Sequence, residues 1–367
     1  MNLASLREKY NDELTHECTS WIVMPDLTGG KKMLLHKNRD SDVKRICAVR
    51  HFPEGKNGWM SVSSPTAEPT ANMGINTKGL AVAMNSGDLS DGKSLGPEGL
   101  HTVEIARVLL ENCDHAEAAV IRLKEIIDAK NYKHGERGSM WFIADPRKAF
   151  IAEHDMLRFA VHEVSGGFAI RANVWHYPEM ILYSQRTPKE LVKNHRREFA
   201  VRNEIFKTGT AYGEPVTIEK IAVASRIDTI PEDPECYPLC GKRTNSAATI
   251  AVDCEYPETL SAIYAAFGPP RFTAYLPVPA ILEKFPEELA DATFGDAVFA
   301  RRDTGRELLP MDQLIRFEDE LNQRHAAAEE KAREILRNGG SADSIRPVLL
   351  EAFQSNWEAL RKLSAGR

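Results

Sequence analysis

Apolar runs of strand length, broken by glycine- and proline-bearing turns, fill the first half of this chain, and one helical pair interrupts them. Trp21-Ile22-Val23-Met24 and Met33-Leu34-Leu35 flank a Thr28-Gly29-Gly30 turn, which reads as a β-hairpin. Further strands are expected at 45–52, 59–62 and 79–84, the last a continuous apolar run of the buried kind. Ile105, Val108 and Leu109 then share a helix face, as do Ala106 and Leu110. Asp114 stands three residues before Glu117 at a start that resembles a capping box, and Val120, Leu123 and Ile127 continue a second stripe. Strands return at 140–144, 149–153, 159–164 and 168–172, linked like a meander by turns at 145–148 and 166–167. Thr187-Pro188-Lys189-Glu190 opens a polar helix that runs to about Val201. Residues 247–252 read as a strand, 257–265 as a short helix and 272–278 as another strand. Residues 311–367 read as a helical hairpin broken at Gly339-Gly340 and packed on the core or on a second subunit. This order lacks the regular strand–helix alternation and the glycine fingerprint of a doubly wound nucleotide fold.

Composition narrows the class further. Hydrophobic residues make up 43% and charged residues 27%, which excludes wholesale disorder. Lys and Arg total 47 against 53 for Asp and Glu, a net charge of −6, so there is no basic surplus to recruit nucleic acid. No apolar run approaches the roughly 18 residues that a bilayer span needs. Arg7, Glu8, Lys9, Asp12 and Glu13 occupy the place where a signal peptide would be apolar. The six cysteines are scattered, and no second Cys or His pair lies near Cys236 and Cys240. The histidines show no HExxH and no pair at metal spacing. The expectation is therefore a cytoplasmic protein with reduced thiols, no metal, no cofactor and no membrane or nucleic-acid partner.

Cys18 carries the chemistry of this reading. It heads the first strand, and the return strand ends in His36-Lys37-Asn38-Arg39-Asp40. An antiparallel hairpin sets the start of one strand against the end of the next, so Cys18 faces Lys37, Asn38 and Asp40. A cation beside a thiol favours its nucleophilic form.

Cys18-Thr19-Ser20 followed by Lys37-Asn38-Arg39-Asp40 resembles the opening of the cysteine-type N-terminal nucleophile (Ntn) hydrolases. That group includes the isopenicillin-N acyltransferase, secernin/dipeptidase A and bile-salt hydrolase/penicillin V acylase families. The resemblance continues in Asn76-Thr77-Lys78-Gly79-Leu80-Ala81-Val82-Ala83-Met84-Asn85 and in SMWFIADPRKAFIAE at 139–153. It continues again in the strand at 168–173 that ends in an asparagine, and in Gly268-Pro269-Pro270 with Tyr275-Leu276-Pro277. What it implies is an α+β fold, the four-layer αββα Ntn sandwich, spanning 18–310 after a self-removed propeptide at 1–17 and before a helical extension at 311–367. It further implies Cys18 as nucleophile with its own α-amine as base, and Asp40 holding that amine. Lys37 stands in the place of an arginine, Asn85 and Asn173 serve the oxyanion hole and the amine, and Arg243 is the late active-site arginine. Lys37 lacks the guanidinium fork. Thr19 departs from the acidic residue common in secernins, and Glu17, before the cut, is charged where the resemblance implies a small residue. The implied partner is a small linear amide. Acyl transfer to an amine, or a non-catalytic binding protein that keeps the fold, stand as alternatives, and the helical tail is a surface for self-association. Trp175, His176 and Tyr177 either line a pocket or pack.

Overall fold

The computed structural model describes residues 18–41, 48–65, 69–89, 99–132, 137–155, 157–207, 214–228, 239–241 and 243–365. The expected propeptide at 1–17, Cys236 and the first residues of the strand expected at 45–52 lie outside them. In chain order the strands are β1 (Cys18–Val23), β2 (Lys32–Asp40), β3 (Ala48–Phe52), β4 (Trp59–Ser63), β5 (Met73–Asn76), β6 (Ala81–Leu89), β7 (Arg137–Ala144), β8 (Ala149–His154), β9 (Phe159–Glu163), β10 (Phe168–Arg171), β11 (Thr244–Asp253), β12 (Ala262–Ala266) and β13 (Tyr275–Pro279). The helices are α1 (Thr102–Asn112), α2 (Ala116–Asp128), α3 (Pro178–Ile181), α4 (Pro188–Ile205), α5 (Ile218–Ser225), α6 (Glu287–Ala290), α7 (Thr293–Asp303), α8 (Met311–Arg337) and α9 (Ala342–Ala365). Among the described residues no helix is long and apolar enough to cross a membrane.

Two antiparallel sheets result, one in the order β10-β1-β2-β11-β12-β13 and the other running from β3 to β9 in sequence order. Side-chain alternation explains how they stack. On β1 and β2, Ile22, Met33 and Leu35 point inward and meet Val62, Ile75, Met140 and Phe142 of the second sheet. Trp21, Val23 and Leu34 point outward, where Val201 and Ile205 of α4 and Ile221 of α5 cover them. On the far side, Trp59, Val82, Trp141 and Ile143 are covered by Ile105, Leu109 and Leu123 of α1 and α2. The layers are helix, sheet, sheet, helix. Each fully buried Leu, Ile or Phe in such a core contributes roughly 1.5–3 kcal/mol relative to exposure.

The C-terminal hairpin of α8 and α9 packs on the chain's own core. Leu314, Leu321, Phe353, Trp357 and Leu360 join the inter-sheet cluster beside β13, which covers that sheet edge. Two local expectations need correction. Residues 257–265 form a turn, closed by Thr259 and Leu260 N–H groups on Tyr256 O, and then β12. Ile263 and Ala265 face inward while Ala262 and Tyr264 face outward, so pairing with β11 and β13 overrides the helical preference of the alanines. The cap of α2 is His115, whose ring accepts from Ala118 N–H at 3.3 Å. Asp114 instead accepts from Asn57 and Lys56.

His36 is a core histidine. Its ring stacks on Trp21 at 3.9 Å and its nitrogens meet Thr249 Oγ1 at 2.8 Å and Asn38 Oδ1 at 2.7 Å. Burial pushes it down to about 3, and burial does the same to His325 on α8. Both are neutral when folded, whereas unfolded histidines bind a proton near 6.5. Their contribution is complete above that value and is lost as pH falls toward the folded pKa, by about 1.4 kcal/mol per pH unit for each histidine. Urea unfolding below about pH 6 is expected to show a shallower stability slope in His325→Gln than in the wild type. An unchanged slope would refute this account of His325.

Candidate active site

Alternation along β1 sends Cys18, Ser20 and Ile22 into the space between the sheets. β2 pairs Arg39 with Cys18 and Lys37 with Ser20, so Lys37 and Arg39 share that inner face. On the other flank β10 sets Arg171 opposite Ser20, which carries Asn173 past the strand end to Cys18. The Cys18 backbone N–H donates to Asn173 Oδ1 at 2.8 Å. Asn85 reaches across from β6. Its Oδ1 accepts from Ser20 Oγ at 2.8 Å and from Lys37 Nζ at 2.8 Å, and its Nδ2 donates to Arg171 O at 3.4 Å. Lys37 also donates to Met84 O. Burial pushes the Lys37 ammonium down from the usual lysine range, and the charge and hydrogen bond of the Cys18 sulfur act against that shift. Cys18, Lys37, Asn85 and Asn173 thus form one buried cluster.

Asp40 is placed differently. It stands three positions after Lys37, an odd offset, so its side chain leaves β2 on the outer face. Its carboxylate accepts from Arg197 Nη2 at 3.0 Å and from Thr244 Oγ1 at 2.6 Å. Arg243 lies beside the same strand end, where its carbonyl accepts Ser41 N–H at 3.0 Å. A bulge between Thr244 and Ser246 bends β11 at this point.

Side chains absent from the sequence reading hold Asn173 in place. Asn194 Oδ1 accepts the Asn173 N–H at 3.2 Å, Glu198 Oε1 accepts the Ala172 N–H at 2.7 Å, and Arg186 Nη2 donates to Asn173 O at 3.3 Å. Buried Glu153 accepts the His176 N–H at 3.0 Å and the Tyr177 N–H at 3.2 Å. Asn194, Arg197 and Glu198 belong to the inward stripe of α4 with Val201 and Ile205. That i, i+3, i+4, i+7 spacing is visible in the sequence, yet polar members on a core stripe imitate a solvent face. Trp175 and Tyr177 pack in the inter-sheet core. Gly87 and Gly138 are required there, since a Cβ on either would stand 2.3 Å from Trp175 Cη2. Burial pushes the Cys113 and Cys240 thiols up to about 11 and about 12, so both stay protonated at neutral pH.

Against known proteins, the acyl-coenzyme A:6-aminopenicillanic acid acyl-transferase family model matches residues 27–200. That span takes in Lys37, Asp40, Asn85 and Asn173 and begins after Cys18. No curated protein matches the chain by sequence. Among solved structures the chain is similar to penicillin V acylase from Agrobacterium tumefaciens, with 15% identity over 71% of this chain and 86% of that one and a TM-score of 0.43. It is also similar to a variant of conjugated bile acid hydrolase from Clostridium perfringens, with 12% identity over 71% of this chain and 92% of that one and a TM-score of 0.45. Two stacked antiparallel sheets between helical layers, together with the family-model match over residues 27–200, support the Ntn-hydrolase superfamily for this chain.

Proposed function

We propose that this chain is a cysteine-type Ntn amidohydrolase that cleaves a small linear amide once its Glu17–Cys18 bond is broken. The observation that carries this reading is the Cys18 nitrogen, 2.8 Å from Asn173 Oδ1, beside a thiol that contacts buried Lys37. Cleavage of the bond converts that N–H into a free α-amine. Such an amine titrates near ~7.7–8.0, so at neutral pH part of it is ready to take up a proton. It accepts the thiol proton, and the sulfur attacks the amide carbonyl to form a C–S bond. The C–N bond then breaks, the amine returns the proton to the leaving nitrogen, and water resolves the acyl-enzyme. Asn85 Nδ2 is the donor for the oxyanion, a role that typically lowers a barrier by ~2.7–4 kcal/mol. Lys37 fixes the Asn85 amide and sets a positive charge beside the sulfur. Asp40, fixed by Arg197 and Thr244, supports the charge on Lys37. Arg243 completes the set at the end of β2, where it meets the polar end of the substrate.

The acyl-transferase description of the matching family favours one alternative outcome, in which an amine resolves the acyl-enzyme. A nucleophilic amine added during turnover separates the two, because transfer product then outcompetes hydrolysis. Intact mass and N-terminal sequencing of the purified protein test the shared first step. The expected chain begins Cys18-Thr19-Ser20. A protein that still carries residues 1–17 leaves Cys18 without its base and overturns the mechanism.

A further inference from the structure

His176, His195 and Glu198 converge on one point behind the Cys18 cluster. α4 supplies His195 and Glu198, one turn apart on a single face, and the segment after β10 supplies His176. His176 Nε2 lies 2.9 Å from Glu198 Oε1, and His195 Nδ1 lies 3.3 Å from Glu198 Oε2. One donor atom from each residue falls within 4.8 Å of the other two. Two imidazoles and a carboxylate form a common zinc donor set. With metal–ligand bonds of ~2.0–2.2 Å, a tetrahedral site spaces its donors roughly 3.3 Å apart, and the three donors here, all within 4.8 Å of one another, lie near enough for one ion to draw them in.

We propose that His176, His195 and Glu198 bind one divalent transition-metal ion of the zinc class. The site is built as such sites are, with ligands held from behind. Glu198 is fixed by the Ala172 N–H at 2.7 Å, and the backbone of His176 is fixed by Glu153. The neighbouring cations Arg171 and Arg197 pair with Glu153 and Asp40. His195 is half exposed, with 52% of its side chain accessible, so an ion has an entry path and a water has a fourth position. Sequence spacing hides the group, because His176 and His195 come from different elements.

The location gives the ion a task. Ala172 and Asn173 are already tied to α4 through Glu198 and Asn194. An ion that also joins His176 to α4 staples both ends of the segment that delivers Asn173 to Cys18. The site does not depend on Cys18 being the nucleophile.

Equilibrium dialysis of the full chain, stripped with EDTA and titrated with zinc chloride, is expected to give one ion per chain. Binding is expected to raise the melting temperature by several degrees, since a ligand that binds only the folded state stabilises it. Cobalt(II) in place of zinc reports the ligands, with visible d–d bands and no thiolate charge-transfer band. His195→Ala, chosen because an exposed side chain is removed, is expected to weaken binding by at least about 100-fold, beyond the roughly 10–100-fold that outer partners command. His176→Ala is expected to do the same. The proposal is overturned if the stripped protein takes up no ion, if uptake is unchanged in both variants, or if a thiolate band places the ion on a cysteine.

Discussion

Cys18→Ala is expected to abolish amide turnover, with a loss of roughly 10⁴–10⁶-fold, the scale seen when a covalent nucleophile is removed. The same variant is expected to keep residues 1–17, because in the proposed mechanism the thiol that attacks substrate also attacks the Glu17 carbonyl during processing. Folding is not the reason for either loss. Cys18 is a small, 6%-exposed side chain at a strand end, and the backbone bond from its nitrogen to Asn173 does not involve the sulfur. Removing one buried sulfur costs on the order of 1 kcal/mol, so the melting temperature should stay close to that of the wild type. Cys18→Ser adds a graded control. Its hydroxyl occupies the same place beside Lys37 but is a weaker nucleophile, so slow processing and residual turnover are expected. Mass spectrometry and a turnover assay on both variants give the result. An alanine variant that turns over substrate at the wild-type rate would end the cysteine mechanism and leave the two-sheet fold standing.

The parts of this site that sequence could reveal were those fixed by local rules. A hairpin and period-two alternation bring Cys18, Ser20 and Lys37 to one face, and β10 returns Asn173 beside them. Alternation also separates Lys37 from Asp40, a consequence that a motif read as one polar group conceals. The supporting shell was harder to read for a different reason. Asn194, Arg197 and Glu198 lie on the buried stripe of α4, where their polar groups are matched by Asp40 on β2 and by backbone N–H groups at Ala172 and Asn173. A polar residue shows its burial only through its partners, and these partners are distant in sequence. Ala262-Ile263-Tyr264-Ala265 teaches the same lesson for the fold. Its strand state is set by neighbours on both sides, against the preference of its own alanines.

Glu318 is expected to be among the most sensitive positions for stability, since Glu318→Ala should cost about 3–5 kcal/mol, the penalty for leaving a buried charge without its partner. Glu318 lies on the inner face of α8 with its side chain 5% exposed, and Arg226 follows α5 with its side chain 2% exposed. The contact is bidentate, Nη1 to Oε2 at 2.8 Å and Nη2 to Oε1. Glu318 Oε1 also accepts the Tyr275 N–H at 2.6 Å, and Arg226 Nε donates to Pro270 O at 2.8 Å. Burial opposes the arginine's charge, and Glu318 outweighs it, raising the pKa above the usual arginine value. One carboxylate therefore ties α8 to β13 and to α5, in the sheet that carries Cys18. Glu318→Gln keeps the Tyr275 bond and loses the charge, so a smaller cost, about 2 kcal/mol, is expected. The double variant Glu318→Leu/Arg226→Met removes both charges and should recover most of the stability, because well-packed apolar pairs often replace buried ion pairs without loss. Urea denaturation of the three variants separates the terms. A cost below about 1 kcal/mol for Glu318→Ala would mean that Arg226 finds water instead, and that α8 and α9 lean on the core through apolar contacts alone. The expected order, alanine worst, glutamine intermediate and the double variant near wild type, would make the C-terminal hairpin part of the catalytic fold and not an appendage to it.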